Sequence, residues 1–184
     1  WGTNQSTRNH DDEDDDGYPE QAAVQAGLRE HLHNQLSTTQ LDNHDRKIIG
    51  LLIDALDDNG YLTQDLNELL ELLPAELDID LDDLETALVQ LQHLDRPGLA
   101  ARCLSECLKL QLKALPEDTP QRELAITLVF QHLELVAAHD FAKIKKLVRC
   151  TDEQLRAAQQ LIAQLNPKPG AEFEQRTADY VVPD

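Results

Sequence analysis

Thirty-three leucines, all between residues 28 and 165, stand against 14 valines plus isoleucines in the whole chain. Leucine loses little rotamer freedom in a helix, whereas β-branched side chains are stiff and favour strands. The leucines recur three and four residues apart, the spacing of one helix face. Val24, Leu28, Leu32 and Leu36 make one stripe, and Ile48, Leu52, Ala55 and Leu56 a second, for which Gly60 offers a left-handed stop. Thr63 is placed to cap a third helix through Leu66, Leu69, Leu70 and Leu73, closed by Pro74. A fourth begins at Asp80, runs through Leu84, Ala87, Leu88 and Leu91, and ends at the turn Asp95-Arg96-Pro97-Gly98. The fifth covers about residues 101–114 through Leu104, Cys107, Leu108 and Leu112. After a linker at 115–120, Thr119 and Pro120 start a sixth through Leu124, Leu128, Val129 and Leu133. A seventh spans about 141–149. The capping box Thr151-x-x-Gln154 opens an eighth through Leu155, Ala158, Leu161, Ile162 and Leu165, which Asn166-Pro167-Lys168-Pro169-Gly170 ends.

These patterns predict an all-α chain of two small helical bundles in series, residues 21–115 and 120–170. The seventh and eighth helices form a helix-turn-helix-like pair in the second. A disordered acidic segment at 1–20 and an extended tail at 171–184 flank the bundles. Lys plus Arg number 16 against 35 Asp plus Glu, a net charge of −19. The acidity lies early, with a continuous run from Asp11 to Asp16, and the half after residue 100 is nearly neutral. Such a charge opposes coating of nucleic acid or anionic lipid. No apolar run approaches a membrane span. The chain has no Met and opens at Trp1, so a piece of a longer protein is expected. Three cysteines, Cys103, Cys107 and Cys150, with no apolar leader, point to a reducing cytoplasm.

Residues 57–62 look like part of a calcium loop, but counting from Gly60 puts Ala55 and Leu66 at the first and last ligand positions, which excludes it. His44-Asp45 and His139-Asp140 suggest a metal-dependent phosphohydrolase, yet neither pair sits in a wider His and Asp cluster, and each reads better as a helix start. Cys103 and Cys107 share a helix face, and His31 and His33 do not join them on sequence spacing, so no zinc site is expected. No phosphate loop or nucleophile elbow is present. The chain is therefore expected to be no enzyme and to need no metal or cofactor. Lys143, Lys145, Lys146 and Arg149 make a basic patch on the seventh helix, and Arg156, Gln159, Gln160 and Gln164 could face base edges from the eighth. That keeps a helix-turn-helix DNA-binding module as an alternative, against which stands the scarcity of aromatics for base stacking.

Two segments carry a family resemblance: residues 45–62, DRKIIGLLIDALDDNGYL, and residues 94–112, LDRPGLAARCLSECLKLQL. They resemble the core-binding region of the enhancer-dependent sigma-54 factor of bacterial RNA polymerase. LIAQLNPKPGAEF at 161–173 and ADYVVPD at 178–184 are similar to the same family, in the same order. Gly60, Tyr61, Pro97, Gly98, Cys107, Pro167, Pro169 and Gly170 are the motif positions. Arg96 stands where the family usually has Pro, Ala100 where it commonly has Gly, and Cys103 where it commonly has Asp. The resemblance implies a transcription initiation factor that binds the large subunits of core polymerase and awaits an ATP-driven activator of the AAA+ class. It also implies promoter DNA contacts through regions outside this chain, and an acidic run that enters the polymerase's DNA channel. Arg102, Glu106, Lys143, Lys146 and Arg149 are the residues expected to touch the polymerase.

Overall fold

A computed structural model describes residues 27–173, and the acidic run, Val24 and residues 174–184 lie outside the described residues. Helix α1, Leu28–Ser37, buries Leu28, Leu32 and Leu36 against α2, Asn43–Asp54. The cap of α2 is Asp42, whose carboxylate accepts the Asp45 N–H at 2.8 Å. Helix α3, Leu66–Leu72, is capped by Asp65 rather than by Thr63, because the Asp65 carboxylate reaches the Asn67 N–H at 2.7 Å. Pro74 then leads into a 3-10 turn at Ala75–Leu77. Helix α4, Leu81–Gln92, starts with a reciprocal Asp80/Asp83 capping box and packs on α2 and α3.

Helix α5, Leu104–Lys113, and α6, Arg122–Gln131, pack tightly on each other across the 115–120 linker. Thr119 does not cap α6. Gln121 does so in a left-handed conformation, φ 63°, while Thr119 offers its carbonyl to Arg122. The expected sixth helix breaks at His132, leaving the short α7, Leu133–Ala137. Helix α8, Phe141–Val148, is capped by Asp140, and α9, Asp152–Ala163, by the reciprocal Thr151/Gln154 box. Among the described residues the only β feature is an isolated parallel bridge between Tyr61 and Ala101.

The buried apolar side chains form two clusters. One gathers Leu32, Ile48, Ile49, Leu52, Ile53, Leu84 and Leu91 from α1, α2 and α4. The other gathers Leu108, Leu112, Leu128, Val129, Ile144 and Leu155 from α5, α6, α8 and α9. Residues 171–173 are helical rather than extended, with Ala171 and Phe173 donating to the carbonyls of Lys168 and Gly170, and Phe173 inserts into the first cluster. No helix among the described residues is long and apolar enough to cross a membrane.

Gly60 does not stop α2, which already ends at Ala55. It occupies a left-handed turn, φ 91°, five residues further on. A Cβ on Gly170 would lie 2.6 Å from the backbone of Asn59 and Gly60, and one on Gly60 would lie 2.6 Å from Leu99 Cδ2. Gly170→Ala should therefore destabilise the fold by about 2–3 kcal/mol, read as a lowered midpoint in thermal or urea unfolding.

Candidate functional site

Three loops far apart in sequence meet at one junction. The first, residues 57–61, closes on itself because the Asp57 carboxylate accepts the N–H groups of Asn59 and Tyr61 at 3.0 and 2.9 Å. The second, 96–103, lies along it: Ala100 N–H donates to Gly60 O at 2.7 Å and Leu62 N–H to Ala101 O at 2.9 Å. The third, 166–170, covers the other side, with Gly170 N–H donating to Asn59 O at 2.9 Å and the Tyr61 hydroxyl to Pro167 O at 2.5 Å. Burial pushes the Tyr61 hydroxyl well above its usual pKa, helped by neighbouring Cys107, so it stays a donor.

Two buried glutamines hold the loops to the helices. Gln111 donates to Asn166 O at 2.6 Å and accepts the Asn166 N–H at 2.8 Å, while also touching the Cys107 thiol. Gln92 donates to Ala100 O and to Glu106 Oε1, each at 3.1 Å. Gly98, φ 99°, leaves room for this arrangement, since a Cβ there would meet Gln111 Nε2 at 2.8 Å and Cys107 Sγ at 3.2 Å. Cys107 is buried, with its thiol pKa raised by desolvation, and acts as a packing residue beneath the junction. The eight motif positions do not share one role. Gly60, Gly98, Cys107, Pro169 and Gly170 are buried, Tyr61 is half-buried, and Pro97 and Pro167 are exposed.

Among the residues expected to touch a partner, Arg102 and Glu106 are joined to each other. Arg102 donates its backbone N–H and its guanidinium to Glu106 at 2.8, 3.1 and 3.3 Å. Burial pushes the Glu106 carboxyl up, but hydrogen bonds from Arg102 and Gln92 outweigh it and hold the pKa below its usual value. Glu106 thus spends both oxygens inside the fold, and its role here is to fix the start of α5. Lys143, Lys146 and Arg149 lie exposed on α8 and its cap, and Lys145 pairs with Asp152 at 2.6 Å. Among the described residues Arg102 pairs with Glu106 and Lys145 with Asp152, and no ion pair joins the patch to Arg102 or Glu106.

Two exposed apolar side chains depart from the sequence reading: Phe130 is not singled out by it, and Leu104 is placed on the apolar stripe of its helix but is exposed. Phe130 on α6 is 58% exposed, Leu104 at the first residue of α5 is 42% exposed, and the Lys109 ammonium sits 4.0 Å over the Phe130 ring. With Arg102, Cys103, Ser105 and Glu106, the last two line a cleft of about 300 Å³. Phe130 falls off the Leu124/Leu128 stripe, which was the available signal. Asp42, just before the His44-Asp45 pair, caps α2, and Asp140 of the His139-Asp140 pair caps α8; among the described residues no group of three or more His, Cys, Asp or Glu could hold a metal ion.

The junction unites the GYL, GxxARxLxECL and PKPG motifs in one body, and over residues 17–184 the chain matches the family model described as sigma-54 factor, core binding domain. The chain belongs to that family. It is 40% identical over 173 residues to the RNA polymerase sigma-54 factor of Azotobacter vinelandii, covering 94% of this chain and 34% of that protein. The sigma-54 factor of Pseudomonas aeruginosa is 36% identical, covering 93% and 35%, and that of Escherichia coli K12 is 36% identical, covering 85% and 33%. The chain thus spans about a third of the length of the curated relatives it matches. In this sigma-54 core binding domain the three positions expected to differ from the family pattern lie at or beside the junction. Arg96 pairs with Glu172 and stacks over Phe173 at 4.7 Å, Ala100 adopts a strained left-handed φ of 65°, and Cys103 caps α5 without a side-chain hydrogen bond.

Cys103→Asp should supply the missing cap and raise stability by about 1 kcal/mol in equilibrium unfolding. The pH dependence follows from Glu106 and from Asp95. Burial raises the Asp95 pKa, but hydrogen bonds from the Arg96 backbone and Gln35 bring it net below its usual value. A carboxyl with a depressed folded pKa gives stability that is present above its unfolded value and lost as pH falls through the folded one. Stability should therefore drop below about pH 4.5, the ordinary Glu106 value, and Glu106→Gln should flatten part of that acid slope in urea titrations.

Proposed function

We propose that this chain is a non-catalytic module through which a sigma-54 type initiation factor binds bacterial core RNA polymerase in the cytoplasm. The observation that carries the reading is the match to the core binding domain over nearly the whole chain. The three-loop junction supports it physically, since a preformed surface loses less conformational entropy on association than an ordered-on-binding one. The large polymerase subunits are the partner. Promoter recognition and response to an ATP-driven activator belong to the longer factor of which such a module is part. An acidic run from Asp11 to Asp16 suits a basic channel of the polymerase, where it would compete with DNA.

The α8–α9 pair, joined through Arg149 in a left-handed conformation, φ 52°, has the connectivity of a helix-turn-helix. No finding favours sequence-specific DNA reading by it, nor a phosphohydrolase. Titration of labelled chain into purified core polymerase should give saturable binding that survives excess duplex DNA. Binding abolished by that competitor, with a steep salt dependence of DNA affinity, would replace the proposal by the DNA-binding one.

A further inference from the structure

Interfaces draw most of their energy from a few well-positioned aromatic and cationic anchors surrounded by residues that exclude water. The cleft between α5 and α6 has that composition. Phe130 is the most exposed aromatic side chain among the described residues, and its ring is held by Lys109 rather than covered by the fold. Arg102 flanks the cleft with its guanidinium oriented by Glu106. The platform is rigid: Leu108 and Leu112 of α5 pack with Ala125, Leu128 and Val129 of α6, and the Ser105 hydroxyl donates to Val129 O at 2.7 Å.

Charge decides what such a cleft would take. In a chain of net charge −19, α5 carries Lys109 and Lys113, with Arg102 just before it. The nearby acid Glu106 is ion-paired with Arg102 and accepts a hydrogen bond from Gln92, so Lys109 is the cation the cleft offers to an entering group. A carboxylate entering the cleft would meet Lys109 without displacing any internal partner, and an apolar side chain beside it would cover Phe130. Phosphate backbone is a poorer fit, because tracking it takes a row of cations and a stacking platform, and the cleft offers Lys109 and one exposed ring.

We infer that the α5–α6 cleft, with Phe130 and Lys109 as anchors, is the docking site for an acidic, apolar-tipped polypeptide segment of core RNA polymerase. This rests on the core-binding reading and names its face. The α8 patch of Lys143, Lys146 and Arg149 then serves at most as a peripheral charge, outside the anchor.

The test compares the full chain with Phe130→Ala, Lys109→Glu and Lys143→Glu/Lys146→Glu in equilibrium binding to purified core polymerase, with far-ultraviolet melting to show that each variant is folded. Phe130 and Lys109 are exposed or half-buried, so their replacement should leave the melting midpoint nearly unchanged. Phe130→Ala and Lys109→Glu should each weaken binding roughly tenfold or more. The α8 variant should stay within about threefold, with a change mainly in salt dependence. Saturable binding by the unmodified chain together with wild-type affinity in Phe130→Ala and Lys109→Glu would overturn the docking site and leave the core-binding reading standing. Absence of binding by the unmodified chain would overturn both. A chain lacking residues 1–20 that loses its sensitivity to Lys109→Glu would assign the cleft to the acidic segment instead, and protection of the cleft by duplex DNA would assign it to nucleic acid.

Discussion

Backbone meets backbone at Gly60 and Gly170 with no room for a single methyl group between them. The contact is small, but it sets the spacing of everything around it. With the 166–170 strand of chain lying directly on the 57–61 loop, Tyr61 reaches Pro167 and Asn166 falls against Gln111. The Gln111–Asn166 bonds are part-buried, and leaving a buried donor or acceptor unpaired costs about 1–3 kcal/mol. The junction is thus cooperative: displacing one loop orphans polar groups on the other two. That is also why the buried polar side chains of the described residues, Gln92 and Gln111, both sit here and not in either leucine cluster.

The helices were legible because their determinants are local. Leucine spacing places the stripes, and the side chains of Asp80, Asp140 and Thr151 reach backbone donors within their own first turn. Thr63 and Thr119 misled for the same reason in reverse. Each is a competent cap, but Asp65 and Gln121 lie closer to where packing actually lets the helix begin. Gly60 marks a left-handed residue correctly and its purpose wrongly, since its partner is more than a hundred positions away. No short-range rule reports such a contact. Likewise α5 reads as a continuation of the first four helices, while its Leu108 and Leu112 complete the second cluster.

The candidate surface was partly legible. Arg102 and Glu106 stand out as charges at a helix start, and sequence cannot tell an inward pair from an outward one. Phe130 was visible as an apolar residue off its stripe, hidden by the apolar run from Leu128 that surrounds it. The departures from the family pattern show how a junction tolerates change. Arg96 gains a carboxylate and a ring in place of a rigid turn residue, whereas Ala100 keeps a left-handed backbone at a cost on the order of 1 kcal/mol, held there by Gly60 O and Gln92.

Phe173 lies against His31, with ring centroids 5.0 Å apart, so the last described residue rests on the first described helix. The chain leaves from beside the place where it enters, after visiting the second cluster and returning. Mechanically this is a clasp. Tension applied through the segments on either side would pull in opposite directions on neighbouring points, loading Phe173 of the first cluster and the Arg96–Glu172 pair ahead of the second cluster.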